Sequence, residues 1–155
     1  MFRLSRAAEY AIRGVLYLSG KSDQVTTDIE EIAKATDVPS AYLAKLFQTL
    51  GKKGFVRSVR GPEGGFVLLK SPEEISILEI IEALEGPIFL NDCLIQEGQC
   101  PQDKVCPVHD TWKEAQDVFL DYLRNCNFKQ LAVSGRKKRR HAGKPPPGKK
   151  KAGGT

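Results

Sequence analysis

From Ser5 to Leu50 the chain spaces its apolar side chains as helices do. Residues 5–19 (SRAAEYAIRGVLYLS) place Ala8, Ala11, Ile12, Val15, Leu16 and Leu18 on one broad face, and Gly20 ends the run. Thr27, with Glu30 three residues on, has capping-box spacing and predicts a short helix through Thr36, with Ile29, Ile32 and Ala33 inward. Pro39 suits the first turn of a third helix. In that helix Leu43, Leu46, Phe47 and Leu50 fall at i, i+3, i+4 and i+7, while Ser40, Ala41, Ala44, Lys45 and Gln48 make a small or polar opposite face. Gly54 fits the left-handed position beyond its end. Two strand-like runs follow, Phe55–Val59 and Phe66–Leu69, and the glycine-rich link Arg60-Gly61-Pro62-Glu63-Gly64-Gly65 makes them a hairpin with a mobile tip.

The second half reads differently. Pro72 and the run to Glu85 predict one helix with Ile77, Ile80, Ile81 and Leu84 on a face. Residues 86–107 are irregular and rich in Gly, Pro and Cys. A long helix then runs from about Val108 to Asn125, and Trp112, Ala115, Phe119, Tyr122 and Leu123 give it a stripe too broad for a short domain to need. Such a helix pairs with its copy, so it is taken as the dimerisation element of a homodimer; packing within its own chain is the alternative. The end of the chain, with its Pro-Pro-Pro, Gly and Lys, holds too little apolar surface to offset chain entropy and predicts disorder.

Three short helices followed by a β-hairpin form the winged helix-turn-helix pattern. The fold class expected is mainly α with a small β-hairpin wing, plus a long C-terminal dimerisation helix. In such a domain the third helix enters a major groove and the hairpin lies along the backbone or minor groove. Charge agrees once it is divided. Of the 155 residues, 136–155 hold nine Lys/Arg and no acid; residues 1–70 hold 11 basic and 7 acidic side chains; residues 71–135 hold 4 and 12. The pI near 9.0 therefore comes from the tail. A basic front (1–70, the DNA-binding region), an acidic middle (71–135, cysteine loop and dimerisation helix) and a disordered basic tail (136–155) point to double-stranded DNA as partner. Ser40, Tyr42 and Lys45 are candidates for base or phosphate contacts, Arg60 for the minor groove, and Lys52 and Lys53 for phosphates.

Chemistry is concentrated in the irregular stretch. Cys93-x6-Cys100-x5-Cys106 is followed by His109, whereas Cys126 lies apart at the end of the long helix and reads as an ordinary buried thiol. Clustered thiolates in one loop are soft ligands able to wrap a metal centre. A three-Cys, one-His set suits zinc, but the tight knuckle typical of structural zinc is missing; the wider spacing suits an iron–sulfur cluster. Spacing alone leaves both open. No apolar run exceeds four residues, so nothing here predicts a membrane span, and a cytosolic setting with reduced thiols is expected.

Four stretches together carry a family resemblance: the opening RLSRAAEYAIR, the helix PSAYLAKLFQTL, the wing VRSVRGPEGGFVLLK, and the cysteine triplet with CPVHDTW. From Met1 to about Leu131 the chain resembles the Rrf-two family of transcription regulators, with its IscR-like and NsrR-like iron–sulfur members. The resemblance implies a homodimeric winged-helix repressor or activator whose cysteine loop holds a cluster, [2Fe–2S] in preference to [4Fe–4S]. It implies Cys93, Cys100, Cys106 and His109 as ligands; in NsrR-like members an acidic residue of the partner subunit takes the fourth place, and Glu9 matches it. Two departures stand out: the first cysteine gap is six residues where five is usual, and Ala44 and Lys45 replace Glu and Gln of the IscR-like recognition helix, which changes the base edges that can be read.

Two rivals come from other classes. An enzyme lacks support, because no Ser/His/Asp or paired-carboxylate set can be assembled around His109, and Gly61–Gly65 leads into a strand and not a helix N-terminus as a phosphate loop does. An iron–sulfur electron carrier would not need the basic helix face and wing. A DNA reader with structural zinc, or with no metal, is the remaining alternative.

Overall fold

A computed structural model describes residues 3–143. Helix α1 (Arg6–Ser19) begins where the Ser5 hydroxyl accepts the Ala8 N–H at 3.2 Å, satisfying one of the amides that a first turn leaves free. Helices α2 (Ile29–Thr36) and α3 (Ser40–Lys52) form the helix-turn-helix. Between them Asp37 takes the left-handed conformation at φ 55° and Val38 plugs the core. Aspartate is among the few residues that enter this region at small cost.

The core is built where α1 crosses α3. A Cβ at Gly14 would lie 2.8 Å from the Phe47 ring, so only glycine lets the two helices approach this closely. Phe47, Leu43, Leu50, Val15 and Ile32 are fully buried there. Burying side chains of this size contributes about 1.5–3 kcal/mol each.

Strands β1 (Val56–Val59) and β2 (Gly65–Leu68) pair antiparallel with Val56 opposite Leu68 and Val59 opposite Gly65, as the hairpin reading requires. Phe66 meets Phe47 edge-on at 5.1 Å and ties the wing to α3. Thr27 departs from its expected role. It exchanges both backbone hydrogen bonds with Phe66, at 2.9 and 2.8 Å, and so adds a one-residue third edge to the wing. Asp28 then occupies the N-cap position, and the Thr27–Glu30 capping box does not form.

The helix expected over Pro72–Glu85 is broken. A 3-10 turn (Pro72–Glu74) is followed by extended, fully buried Ile75 and then by α4 (Ile77–Glu85). The break has two causes. Ile75 accepts the Phe128 N–H at 3.0 Å, and Ser76 opens α4 with a true capping box to Glu79. Helix α5 (Pro107–Arg124) follows the cysteine stretch, with proline at its first position.

A sixth helix was not expected. α6 (Phe128–Ala142) carries buried Phe128 and Ala132 against α1 and continues through the basic run, so residues 136–142 are helical and not disordered. Lys and Arg are good helix formers, a packed first turn supplies the nucleus, and cations at a helix C-terminus complement its dipole. Residues 144–155 of the expected disordered tail lie outside the described residues. No helix among the described residues is long and apolar enough to cross a membrane.

Candidate nucleic-acid interface and cysteine loop

Helix α3 turns one stripe inward and another out. Tyr42, Lys45, Gln48 and Lys52 are exposed opposite buried Leu43, Leu46, Phe47 and Leu50; Ser40 opens the helix and Lys53 caps it. Arg60 is exposed at the wing tip. The expected contact residues thus share α3 and the wing. The wing is shaped by close backbone approaches: a Cβ at Gly65 would lie 2.1 Å from the Thr27 carbonyl oxygen, and one at Gly64 would lie 2.5 Å from that of Val59. The last two glycines of GPEGG are therefore a packing requirement, and Gly61, at φ +115°, is a conformational one.

Sequence reasoning missed two further groups on this side. Arg57 on β1 shares a groove with Gln48 and Lys52, between α3 and the wing. On α1, the Arg13 guanidinium lies over the Tyr10 ring at 5.6 Å, and Tyr10 meets Tyr42 edge-on at 5.8 Å. Arg3 and Arg6 line the cleft where α1 faces Asp37. The signal for Arg57 was available, since it alternates with buried Val56 on a strand. Farther from α3, Lys21 Nζ sits 2.5 Å from Glu31, which also accepts from the Tyr17 hydroxyl at 2.7 Å. The hydrogen bond to Glu31 holds Lys21 above the usual lysine pKa, and the bond from Lys21 holds Glu31 below the usual carboxylate range.

The cysteine loop runs from the end of α4 to the start of α5. Its turns are held by the Asp103 carboxylate, which accepts the Gly98 N–H at 3.0 Å, and by Gln116 on α5, whose side-chain oxygen accepts the Leu90 N–H at 2.9 Å. Cys93 lies in a 3-10 turn (Asp92–Leu94), Cys100 in the turns between, and Cys106 at the N-cap of α5. All four cysteines are free and half-buried, Cys126 among them, so it is less enclosed than expected. Among the described residues, no three or more His, Cys, Asp or Glu side chains stand together in ligating geometry. The loop therefore brings Cys93, Cys100, Cys106 and His109 into one segment without gathering them at one point. One feature is nonetheless unusual. His109 Nδ1 and Asp103 Oδ1 are buried, make no hydrogen bond, and face each other at 3.6 Å. Glu9 lies on α1, paired with Arg13 at 2.5 Å.

Helix α5 has no buried residue. Phe119, Leu120 and Leu123 pack against Ala8, Leu78, Ile81 and Ile88 of their own chain. The adjoining face stays open, with Val108 54%, Trp112 41%, Val118 67% and Tyr122 75% exposed.

A helix-turn-helix with a glycine-shaped wing and an outward basic stripe defines a winged-helix transcription regulator. Comparison with known proteins makes this specific: residues 4–134 match the Rrf2 model, described as an iron-dependent transcriptional regulator, and the chain belongs to that family. A putative HTH-type transcriptional regulator of Aquifex aeolicus is 36% identical over 129 residues, covering 82% of this chain and 89% of the relative. The HTH-type transcriptional regulator IscR of Pectobacterium carotovorum is 32% identical, covering 83% and 78%. Among solved structures, CymR, the global cysteine regulator of B. subtilis, is similar with a TM-score of 0.73 and 28% identity, covering 86% of this chain and 98% of that one.

Proposed function

We propose that this regulator is a cytoplasmic homodimer that reads double-stranded DNA and is switched by an iron–sulfur cluster in its cysteine loop. The supporting observation is the loop itself. Three free, half-buried thiols and one imidazole lie within 17 residues at the head of the helix left open for a second copy. Thiolates are the donors such clusters need. The donor set fits a cluster in kind, and the orphaned His109 Nδ1 beside Asp103 has the arrangement in which a carboxylate orients a ligating imidazole.

Cys93, Cys100 and Cys106 would hold the cluster, [2Fe–2S] in preference to [4Fe–4S], with His109 or the partner subunit's Glu9 as fourth ligand. The cluster supplies sensitivity to redox state, nitric oxide or iron supply. The chain's own part is positional. The loop leads directly into α5, so a change in the loop shifts the helix on which two copies would meet, and with it the spacing of two α3 helices and two wings. Coupling of this kind requires each loop state to favour one DNA-binding geometry. On the DNA side, Ser40, Tyr42 and Lys45 contact bases or phosphates, Lys52 and Lys53 contact phosphates, and Arg60 enters the minor groove.

The likeness to a cysteine regulator favours a second reading, in which the same thiols respond without a metal. Anaerobic purification with iron and acid-labile sulfide counts separates the two. A coloured protein with iron and sulfide in equal amounts is expected, and its DNA affinity should change on cluster removal. Colourless protein whose affinity follows thiol oxidation assigns the metal-free switch, and bound zinc assigns a structural site.

A further inference from the structure

The basic run that ends α6 is not absorbed by this reading. The family match stops at residue 134, and directly beyond it stand Arg136, Lys137, Lys138, Arg139 and Arg140, all exposed and all on a helix that the core holds at its other end. α6 contains no acidic residue, and among the described residues none of these five cations is in an ion pair. Like charges three and four residues apart repel, so the arrangement weakens the helix unless an anion is present.

Its location says which anion. The inward stripe of α6 runs through Phe128, Leu131, Ala132 and Gly135, and the next residue on that stripe is Arg139. Arg139 lines a groove with Arg13 of α1, Thr36 at the end of α2, and Gly135. Thr36 is four residues from Ser40, where the recognition helix begins, and Arg13 reaches the same helix through Tyr10 and Tyr42. The basic end of α6 therefore lies beside α1 and the end of α2 that leads into the recognition helix.

We propose that Arg136–Arg140 form a second, sequence-independent DNA contact, a rigid arm that grips the phosphate backbone flanking the site read by α3 and the wing. Arg136, Arg139 and Arg140 fall at i, i+3 and i+4 and so share one face of α6. They span about 6 Å of helix axis, along which a duplex presents one phosphate charge per roughly 1.7 Å, so each has a phosphate within reach. The arm adds affinity for any duplex through counterion release, and it selects no sequence because it reaches no base edge. The proposal rests on the DNA-binding reading, and the experiment separates the two.

The test compares the full chain, a five-glutamine variant (Arg136, Lys137, Lys138, Arg139 and Arg140 all →Gln) and a truncation after Gly143. Each is titrated onto a random-sequence duplex across a salt series. Glutamine keeps helix propensity, and circular dichroism with a melting curve checks that α6 survives. If about three cations per chain meet phosphate, the slope of log K against log salt should flatten by about 3 per chain, and so by about 5 for a bound homodimer, in the five-glutamine variant, and affinity near 0.1 M salt should fall by about tenfold or more. The truncation removes Lys144, Lys149, Lys150 and Lys151 and measures what those four cations add, and the loss in the five-glutamine variant should exceed it. Equal slopes for the full chain and the folded five-glutamine variant overturn the arm, as does a slope lost only on truncation. A full chain that binds no duplex at all overturns the DNA-binding reading as well. Unchanged DNA slopes with lost binding to anionic lipid vesicles would assign the arm to a membrane surface and reject DNA.

Discussion

Helix α3 buries Leu43, Phe47 and Leu50 completely, whereas α5, five residues longer, has no buried residue. The two helices have similar amphipathic patterns and opposite circumstances. Everything α3 needs on its apolar side comes from its own chain: α1 at Gly14, α2 at Ile32, the wing at Phe66. On α5, Val108, Trp112, Val118 and Tyr122 stay exposed in the single chain. The winged-helix half is thus specified by packing density. The cysteine loop and α5 leave thiols and an apolar face open, and the proposed cluster and second copy would cover them. Under that proposal regulation and folding lie in different halves, and the switching half would change without unfolding the reading half.

The sharpest way to break that contrast is at the thiols. Cys93→Ala, Cys100→Ala or Cys106→Ala should each remove the visible chromophore of anaerobically reconstituted protein completely, while Cys126→Ala keeps it. None of the four should move the urea midpoint of the winged-helix half beyond the usual range for substitutions outside a core, about 0.5 kcal/mol. A folded but colourless Cys126→Ala protein overturns the ligand assignment. By contrast, Phe47→Ala should cost about 3–5 kcal/mol in a chemical melt, because it empties the point where α1, α3 and the wing meet. A loss under 1 kcal/mol would show that the half taken as self-sufficient is not.

Next in size is the open face of α5. Val118→Glu together with Tyr122→Glu places two carboxylates per copy where apolar surface is to be covered. The dimer dissociation constant should rise by at least about a hundredfold, roughly 2.7 kcal/mol, read by sedimentation equilibrium. Helicity should hold, since both positions are solvent-facing in the single chain. An unchanged dimer would place the interface elsewhere.

How much of this was legible in the residues depends on where each element finds its partners. The α3 stripe, the hairpin and α5 are readable because their signals are local: one heptad of spacing, a glycine-rich link, a long apolar stripe. Thr27 was misread because the wing, distant in sequence, claims its backbone, a tertiary bond that outranks a side-chain cap. Ser76-x-x-Glu79 carries the same capping signature in the middle of an apolar run that predicts one longer helix; Ile75 breaks that helix by pairing with Phe128, over fifty residues away. α6 was missed because its run of cations has the composition of a solvated tail, while its anchor is a single buried phenylalanine just upstream. The ligand set was visible as a spacing, yet spacing cannot say whether four donors converge, and the single chain does not gather them.

The smallest predicted effect tests whether the reading half is as independent in function as in folding. Arg60 is exposed at the wing tip, between β1 and the glycines that fix the turn. Its guanidinium can enter a narrowed minor groove, where the negative potential is enhanced. Removing it empties no cavity and breaks no ion pair among the described residues, so Arg60→Ala should leave the melt within about 0.5 kcal/mol of the parent. Specific binding should nonetheless weaken by about 1–3 kcal/mol, the usual scale of one base-reading contact. Because the wing is braced through Phe66 and Thr27 to the core and not through the cysteine loop, the loss should be equal with and without the cluster. A titration at fixed salt on a selected operator, with holo and apo protein, measures both quantities. An equal loss keeps reading and switching in separate halves; a loss seen only in one cluster state would mean that the wing itself is the moving part.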